Sequence, residues 1–210
     1  MQMNDAVQYD QVARDVFAPV YPVIAEQIKV RTGIKRGVCL DVGTGGGYLG
    51  LALARITDLT FFLMDKSPDM LKIAYANVVG SGLHNRVRTM QGDVHEIPHN
   101  DRSIDLVISR GSLFFWEDKA RAFAEIHRVL APGGQAYVGG GMGTGELFAK
   151  IQAEMAKRRR DFPLDKKNER FADHREDYRR ALSKAGISSY AMTRDDEGSW
   201  IRIHRQKGHS

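Results

Sequence analysis

The sequence predicts an α/β fold: a seven-stranded, mostly parallel sheet with helices on both faces and its last strand antiparallel. Three observations carry that expectation. Short apolar runs alternate along the chain with stretches of helical period. The first strand-like run meets a glycine turn, Gly43-Thr44-Gly45-Gly46-Gly47, which opens directly onto apolar residues at helical spacing. The final two runs are joined only by Asp195-Asp196-Glu197-Gly198, too short for a crossover helix, so that pair must be antiparallel.

The elements follow in order. Residues 1–35 read as two helices. Val7, Val12, Val16 and Phe17 mark the first, Pro19 and Pro22 break it, and a second runs from Pro22 to about Thr32, stopped by Gly33. Val38–Val42 is the first strand, and Tyr48 to Leu53 starts the helix behind the glycine turn. Thr60–Met64 is a buried-type strand. Ser67-Pro68-Asp69 is a helix start, with a cap, a proline at the first helical position and an early acid. Arg86–Met90 and Ile104–Ser109 are strands three and four. A helix from about Glu117 to Leu130 ends at Pro132-Gly133-Gly134, and Ala136–Val138 is strand five. Helices are expected at 145–160 and 173–185, the latter capped by Asp173 and closed by Gly186. Ile187–Met192 and Trp200–His204 complete the sheet. The whole, 1–210, reads as one domain.

Composition removes several classes. The 31 Lys+Arg against 26 Asp+Glu leave a net charge of +5, which permits an anionic partner without requiring one. Cys39 is the only cysteine, so no internal disulfide or Cys-based metal site can form, and a reducing, cytoplasmic home is expected. No apolar run approaches the roughly 20 residues of a membrane span, and Met1–Asp10 lacks the pattern of a secretory leader.

In open parallel sheets the ligand binds at the carboxyl ends of the strands, near the topological switch. There the residues are informative. Gly43-x-Gly45-x-Gly47 makes a close-approach turn whose N–H groups face a ligand. A dinucleotide fold is the main competitor, since Gly45 to Gly50 formally match its glycine fingerprint with Asp65 twenty positions on. That register starts two residues late. Asp41, two residues before the turn, would also repel a pyrophosphate, whereas it suits an ammonium or a sulfonium. Asp65 ends strand two, where a carboxylate can accept both ribose hydroxyls. Asp93 ends strand three, where it can accept from an exocyclic amine while Val94 offers its N–H.

On these residues the chain resembles the class I S-adenosylmethionine-dependent methyltransferases, in particular the small-molecule branch of ubiquinone and menaquinone biosynthesis. The segments that carry the resemblance are Leu40–Gly47, Met64–Ser67, Gln91–Pro98, Ser103–Ser109 and Glu125–Gly134, in family order and spacing over about 36–140. The resemblance implies a Rossmann-like sheet with the last strand between the fifth and sixth, and S-adenosyl-L-methionine as cofactor, with S-adenosyl-L-homocysteine as product. It implies that Asp41, Gly43, Thr44, Gly45 and Gly47 hold the methionine and sugar portions. Asp65 would take the ribose with Lys66 and Met70 beside it, and Asp93 and Val94 the adenine. Ser109 and Arg110 would lie by the methionine tail and the transferred methyl.

Displacement at a sulfonium is mainly a positioning task. Trp116, Tyr9 and Tyr21 are candidates to steady the sulfonium by cation–π attraction; Phe114 and Phe115 read as core. His95 is a candidate base, and the histidines suggest no metal site. Amine- and amide-directed relatives resemble one another in an Asn- or Asp-Pro-Pro-Tyr turn after strand four. Here that turn is Ser109-Arg110-Gly111-Ser112, which argues against such acceptors; a small-molecule acceptor is the favoured reading. Arg110 can bind a carboxylate or phosphate on it, or pair with a neighbouring acid. The N-terminal helices 1–35 and the segment 139–172 are the expected substrate cover, and Gly139–Gly145 invites hinge motion. Lys157-Arg158-Arg159-Arg160 reads as a solvated helix end. The alternatives kept open are an RNA or protein methyltransferase using 157–160, and a non-catalytic cofactor-binding protein.

Overall fold

The computed structural model describes residues 3–157 and 174–207. Two helices, α1 (Met3–Asp15) and α2 (Val20–Thr32), precede the sheet. The alternation then runs β1 (Arg36–Val42), α3 (Tyr48–Ala54), β2 (Asp58–Asp65), α4 (Pro68–Gly80), β3 (Val87–Gln91) and β4 (Ile104–Arg110). After a single 3₁₀ turn at Leu113–Phe115 come α5 (Lys119–Val129), β5 (Leu130–Gly140), α6 (Gly145–Lys157), α7 (Arg175–Lys184), β6 (Tyr190–Asp195) and β7 (Gly198–His204). The sheet order is β3-β2-β1-β4-β5-β7-β6. Only β7 is antiparallel, to β5 on one side and β6 on the other, as the resemblance implied.

Alternation along the strands splits the core into two layers. Cys39, Leu106, Ile108 and Trp200 face α2, α3 and α6, while Leu40, Val107, Ile201 and Ile203 face α5 and α7. β1 pairs with both β2 and β4, so the chain leaves β1 in one direction and returns on its other side at β4. That reversal opens the crevice at the strands' carboxyl ends.

Local chemistry explains most boundaries. Ser67 caps α4, accepting the Met70 N–H at 3.3 Å, with Pro68 in the first turn. Gly33, at φ +68°, ends α2. Four expectations need correction. Pro22 lies inside the first turn of α2, where its missing N–H costs nothing. α5 passes into β5 at Leu130 without a break, and Pro132-Gly133-Gly134 lies within β5. There a five-residue step from Leu130 to Gln135 opposes a two-residue step from Ile104 to Leu106. Ile187 still belongs to the end of α7: its N–H reaches the Leu182 carbonyl and that of Gly186 reaches Ser183, so β6 begins only at Tyr190. His174 takes the N-cap position of α7 without a side-chain bond, and Asp173 lies outside the described residues.

The glycine run after β5 makes a close contact with β7 and the turn before it. A Cβ on Gly139 would stand 2.2 Å from the Ser199 carbonyl oxygen, and one on Gly141 2.1 Å from that of Glu197. The segment is further pinned to α2, where Gln27 Nε2 donates to the Gly143 carbonyl at 2.6 Å. Among the described residues no helix is long and apolar enough to cross a membrane.

Candidate functional site

β1 delivers Asp41 to the crevice, and the backbone then turns through left-handed residues. Gly43 (φ +64°) lies against Ser112, which a Cβ would meet at 2.4 Å, and Gly47 (φ +82°) lies against Leu63 at 2.9 Å, so both positions require glycine. Asp41 is 2% exposed. Its Oδ2 accepts from Thr44 Oγ1 at 2.7 Å and from the Gly50 N–H at 3.1 Å, bracing both ends of the turn. Burial pushes its carboxyl up to about 7; the two hydrogen bonds oppose that shift and the charge of Asp65 adds to it.

Asp65, at the end of β2, is tied to the same turn. Oδ2 accepts the Gly45 N–H and Oδ1 the Ser67 N–H, both at 2.9 Å. Met70 is buried beneath Gly45, while Lys66 is exposed. At the end of β3, Asp93 Oδ1 accepts from the His95 N–H at 2.9 Å and meets its ring Nδ1 at 2.5 Å; Val94 is buried. The His95 bonds hold the Asp93 carboxyl below its ordinary range, the backbone N–H contributing most.

At the end of β4, Ser109 is fully buried and shares a 2.5 Å hydrogen bond with Ser112, whose Oγ also meets the Val42 carbonyl at 3.2 Å. The next residue, Arg110, enters the space between β1 and the N-terminal helices. Its guanidinium carbon lies 5.1 Å from the Phe17 ring centre and 5.4 Å from that of Tyr21. Nε donates to the Gly141 carbonyl at 3.0 Å, and Nη2 lies 3.4 Å from Met142 Sδ. Among the described residues no carboxylate pairs with it.

Some of these groups line a cavity of about 50 Å³, walled by Asp41, Gly43–Gly46, Tyr48 and Leu49, roofed by Tyr9, Ala13 and Tyr21, and reached by Arg110. A wider hollow of about 460 Å³ lies between the start of α5 and the face of α7 from Asp177 to Lys184; it shares no residue with this cavity and is lined mostly by charged groups. The small, polar-lined one is the candidate site, because strand ends and the glycine turn converge there.

The structure therefore brings together Asp41, Gly43, Thr44, Gly45, Tyr9, Tyr21 and Arg110. Asp65 and Asp93 continue the crevice along β2 and β3. Others fall elsewhere. Trp116 is 5% exposed, packs edge-on against Phe123 with ring centres 5.9 Å apart, and donates Nε1 to Ser112; it is core. Phe115, expected in the core, is 50% exposed. The ring face of Tyr21 is turned to Arg110, and His95 does not line the cavity. Lys157 is exposed at the end of α6, and 158–160 lie outside the described residues.

One group escaped the sequence reading. Asp10 of α1 is 8% exposed, accepts the Tyr48 hydroxyl at 2.8 Å, and would clash with any Cβ on Gly46. The buried face of α1 is Ala6, Asp10 and Ala13, continued by Val16 just past its end, with Val7 exposed. An acid at i+4 between two alanines was the available signal.

A family profile described as "Methyltransferase domain" matches residues 40–138. A demethylmenaquinone methyltransferase from Chlorobaculum tepidum is 35% identical over 99 residues, 47% of this chain and 38% of that one. A ubiquinone/menaquinone biosynthesis C-methyltransferase from Marinomonas is 29% identical over 111 residues, 51% of this chain and 44% of that one. The chain thus spans less than half the length of both relatives. A crystal structure from Methanococcus maripaludis, assigned as an S-adenosyl-L-methionine-dependent methyltransferase, is 41% identical with a TM-score of 0.93, covering 99% of this chain and 95% of that one.

Proposed function

This chain belongs to the S-adenosyl-L-methionine-dependent methyltransferases, and we propose that it transfers the cofactor's methyl group to a small-molecule acceptor bearing a negative charge. The residues fit the cofactor. Asp41, Thr44 and the turn Gly43–Gly47 hold its methionine end, where the Asp41 carboxyl suits a ligand carrying positive charge. Asp65, with Lys66 and Met70 beside it, takes the ribose. Asp93 and Val94 take the adenine, and Ser109 flanks the reacting end. When bound, the cofactor supplies an electrophilic methyl on a sulfonium. The chain's own task is then to align the acceptor and exclude water. No general base is assigned: both ring nitrogens of His95 are already engaged. α1, α2 and residues 139–157 form the described part of the acceptor cover, while 158–172 of the expected segment lie outside the described residues; a cytoplasmic location is part of this reading.

The observation that carries the acceptor's charge is Arg110. A guanidinium drawn out of water without an anionic partner is costly, and an anion in the cavity removes that cost. Two anions are in reach by chemistry: the cofactor's carboxylate and one on the acceptor. Arg110→Ala separates them. The proposal expects cofactor affinity to hold while the acceptor's KM rises; loss of cofactor affinity instead assigns Arg110 to the methionine carboxylate. The acceptor itself is found by following cofactor consumption with a panel of carboxylated and phosphorylated metabolites, run beside bulk RNA. Methylation of RNA alone, with a steep loss on adding salt, overturns the small-molecule reading. Cofactor binding with no turnover across the panel supports a non-catalytic role.

A further inference from the structure

Every polar atom of His95 is engaged. Its backbone N–H and ring Nδ1 both meet Asp93 Oδ1, at 2.9 and 2.5 Å. Ring Nε2 accepts the backbone N–H of Asp118 at 3.2 Å. The His95 carbonyl accepts from Arg121 Nε at 2.7 Å. Asp118 in turn caps α5, accepting the Arg121 N–H at 3.0 Å. An imidazole whose Nε2 accepts a backbone N–H carries its proton on Nδ1, so Nδ1 is the donor to Asp93.

The consequence is one-sided. Oδ1 of Asp93 takes two donors, and Oδ2 takes none among the described residues. The carboxylate cannot rotate without breaking both bonds, so Oδ2 points in one direction. The His95 side chain is 20% exposed against 47% for that of Asp93, so the imidazole is the packed anchor and the carboxylate the group left accessible to a ligand. Neighbouring charge agrees with this: the bonds from His95 and the field of Lys66 both keep Asp93 ionised.

We propose that His95 is a positioning residue for base recognition: it fixes Asp93 so that Oδ2 accepts an exocyclic amine, and it locks that setting to the start of α5. The inference rests on the proposed placement of adenine at Asp93. Holding the carboxylate in its bound orientation removes the rotamer entropy that a free aspartate loses on meeting its ligand. The same network accounts for a histidine that sits at the crevice rim yet has no nitrogen to offer as a base.

The test uses the intact chain and two probes read by calorimetry. One is S-adenosylhomocysteine; the other is its 6-deamino analogue, in which hydrogen replaces the amine. The readout is the ratio of their dissociation constants, which general loosening of the fold does not move. The wild-type chain is expected to favour the amine by roughly tenfold or more, the scale of one hydrogen bond to a charged acceptor. His95→Ala keeps the backbone N–H bond to Oδ1 but loses the ring bond, and is expected to lower the ratio several-fold. His95→Asn places an amide N–H where Nδ1–H stands and is expected to restore most of the preference, which also guards against an Ala variant that folds poorly. Asp93→Ala provides the reference. If it leaves the ratio unchanged, the adenine placement falls and this inference with it. If Asp93→Ala collapses the ratio but His95→Ala preserves it, the adenine placement stands and the positioning role of His95 is overturned.

Discussion

Asp41→Asn tests the electrostatics of the site directly. In the folded chain burial lifts the Asp41 carboxyl from its ordinary 3.8 to about 7. The folded state therefore holds this proton more tightly than the unfolded chain. The stabilisation is complete below pH 3.8, is lost progressively as pH rises toward about 7, and stays lost above it. At about 1.36 kcal/mol per pKa unit, the full span corresponds to a folded-state cost of about 4 kcal/mol for the ionised carboxyl. The loss between pH 5 and pH 8 is roughly 2–3 kcal/mol. Asparagine keeps the volume and one acceptor for the Thr44 hydroxyl or the Gly50 N–H, and it does not titrate. Denaturant melts of both proteins across this range are expected to show the variant gaining on the wild type by that amount, since other titrating groups cancel in the difference. A bound ammonium or sulfonium favours the ionised form. Cofactor binding to the wild type near pH 6 is therefore expected to release a proton, measured by calorimetry in buffers of different ionisation enthalpy, and binding to the variant is expected to release none. A stability difference that is flat with pH would refute the burial argument. A pH-dependent difference without proton release would leave Asp41 as a brace of the turn alone.

Three further outcomes are expected. Asp65→Ala should weaken cofactor binding by about 1–3 kcal/mol, the cost of losing charge-assisted hydrogen bonds. It should also lower the melting temperature, because Gly45 and Ser67 lose their acceptor; unchanged affinity by calorimetry would remove Asp65 from the site. Gly141→Ala drives a Cβ to 2.1 Å from the Glu197 carbonyl oxygen and should destabilise by roughly 1–3 kcal/mol; a wild-type melting curve would show that the segment yields as a hinge does. Replacing Lys157, Arg158, Arg159 and Arg160 together with Gln should leave turnover of the small acceptor within a few fold, and a collapse of that rate would give the basic stretch a direct part in catalysis.

Much of the fold was legible because its signals are local. A strand that alternates, a turn that needs left-handed backbone and a helix with a period of 3.6 write their demands into neighbouring residues. The run from Val38 through Gly47 to Leu53 could be read that way, as could the Ser67-Pro68 helix start and the short turn before β7. The acids Asp41, Asp65 and Asp93 were readable too, since each ends a strand at the edge where an open parallel sheet binds its ligand. Boundaries that depend on distant partners were not. Pro132-Gly133-Gly134 resembles a helix stop, and only the pairing of β5 with β4 turns it into a bulge within a strand. Gly139 and Gly141 read as freedom, and only the approach of Ser199 and Glu197 makes them a tight fit.

The sequence by itself determined the order of elements, the glycine turn and the acids at the strand ends, because each follows from backbone preference over a few residues. Tertiary structure alone decided what those residues meet. It set Arg110 between Phe17 and Tyr21, turned Asp10 toward Tyr48 and Gly46, and closed His95 onto both Asp93 and Asp118. In each case the side chain and at least one partner lie on different elements. Their distance, burial and charge exist only once the sheet has brought those elements to the same edge.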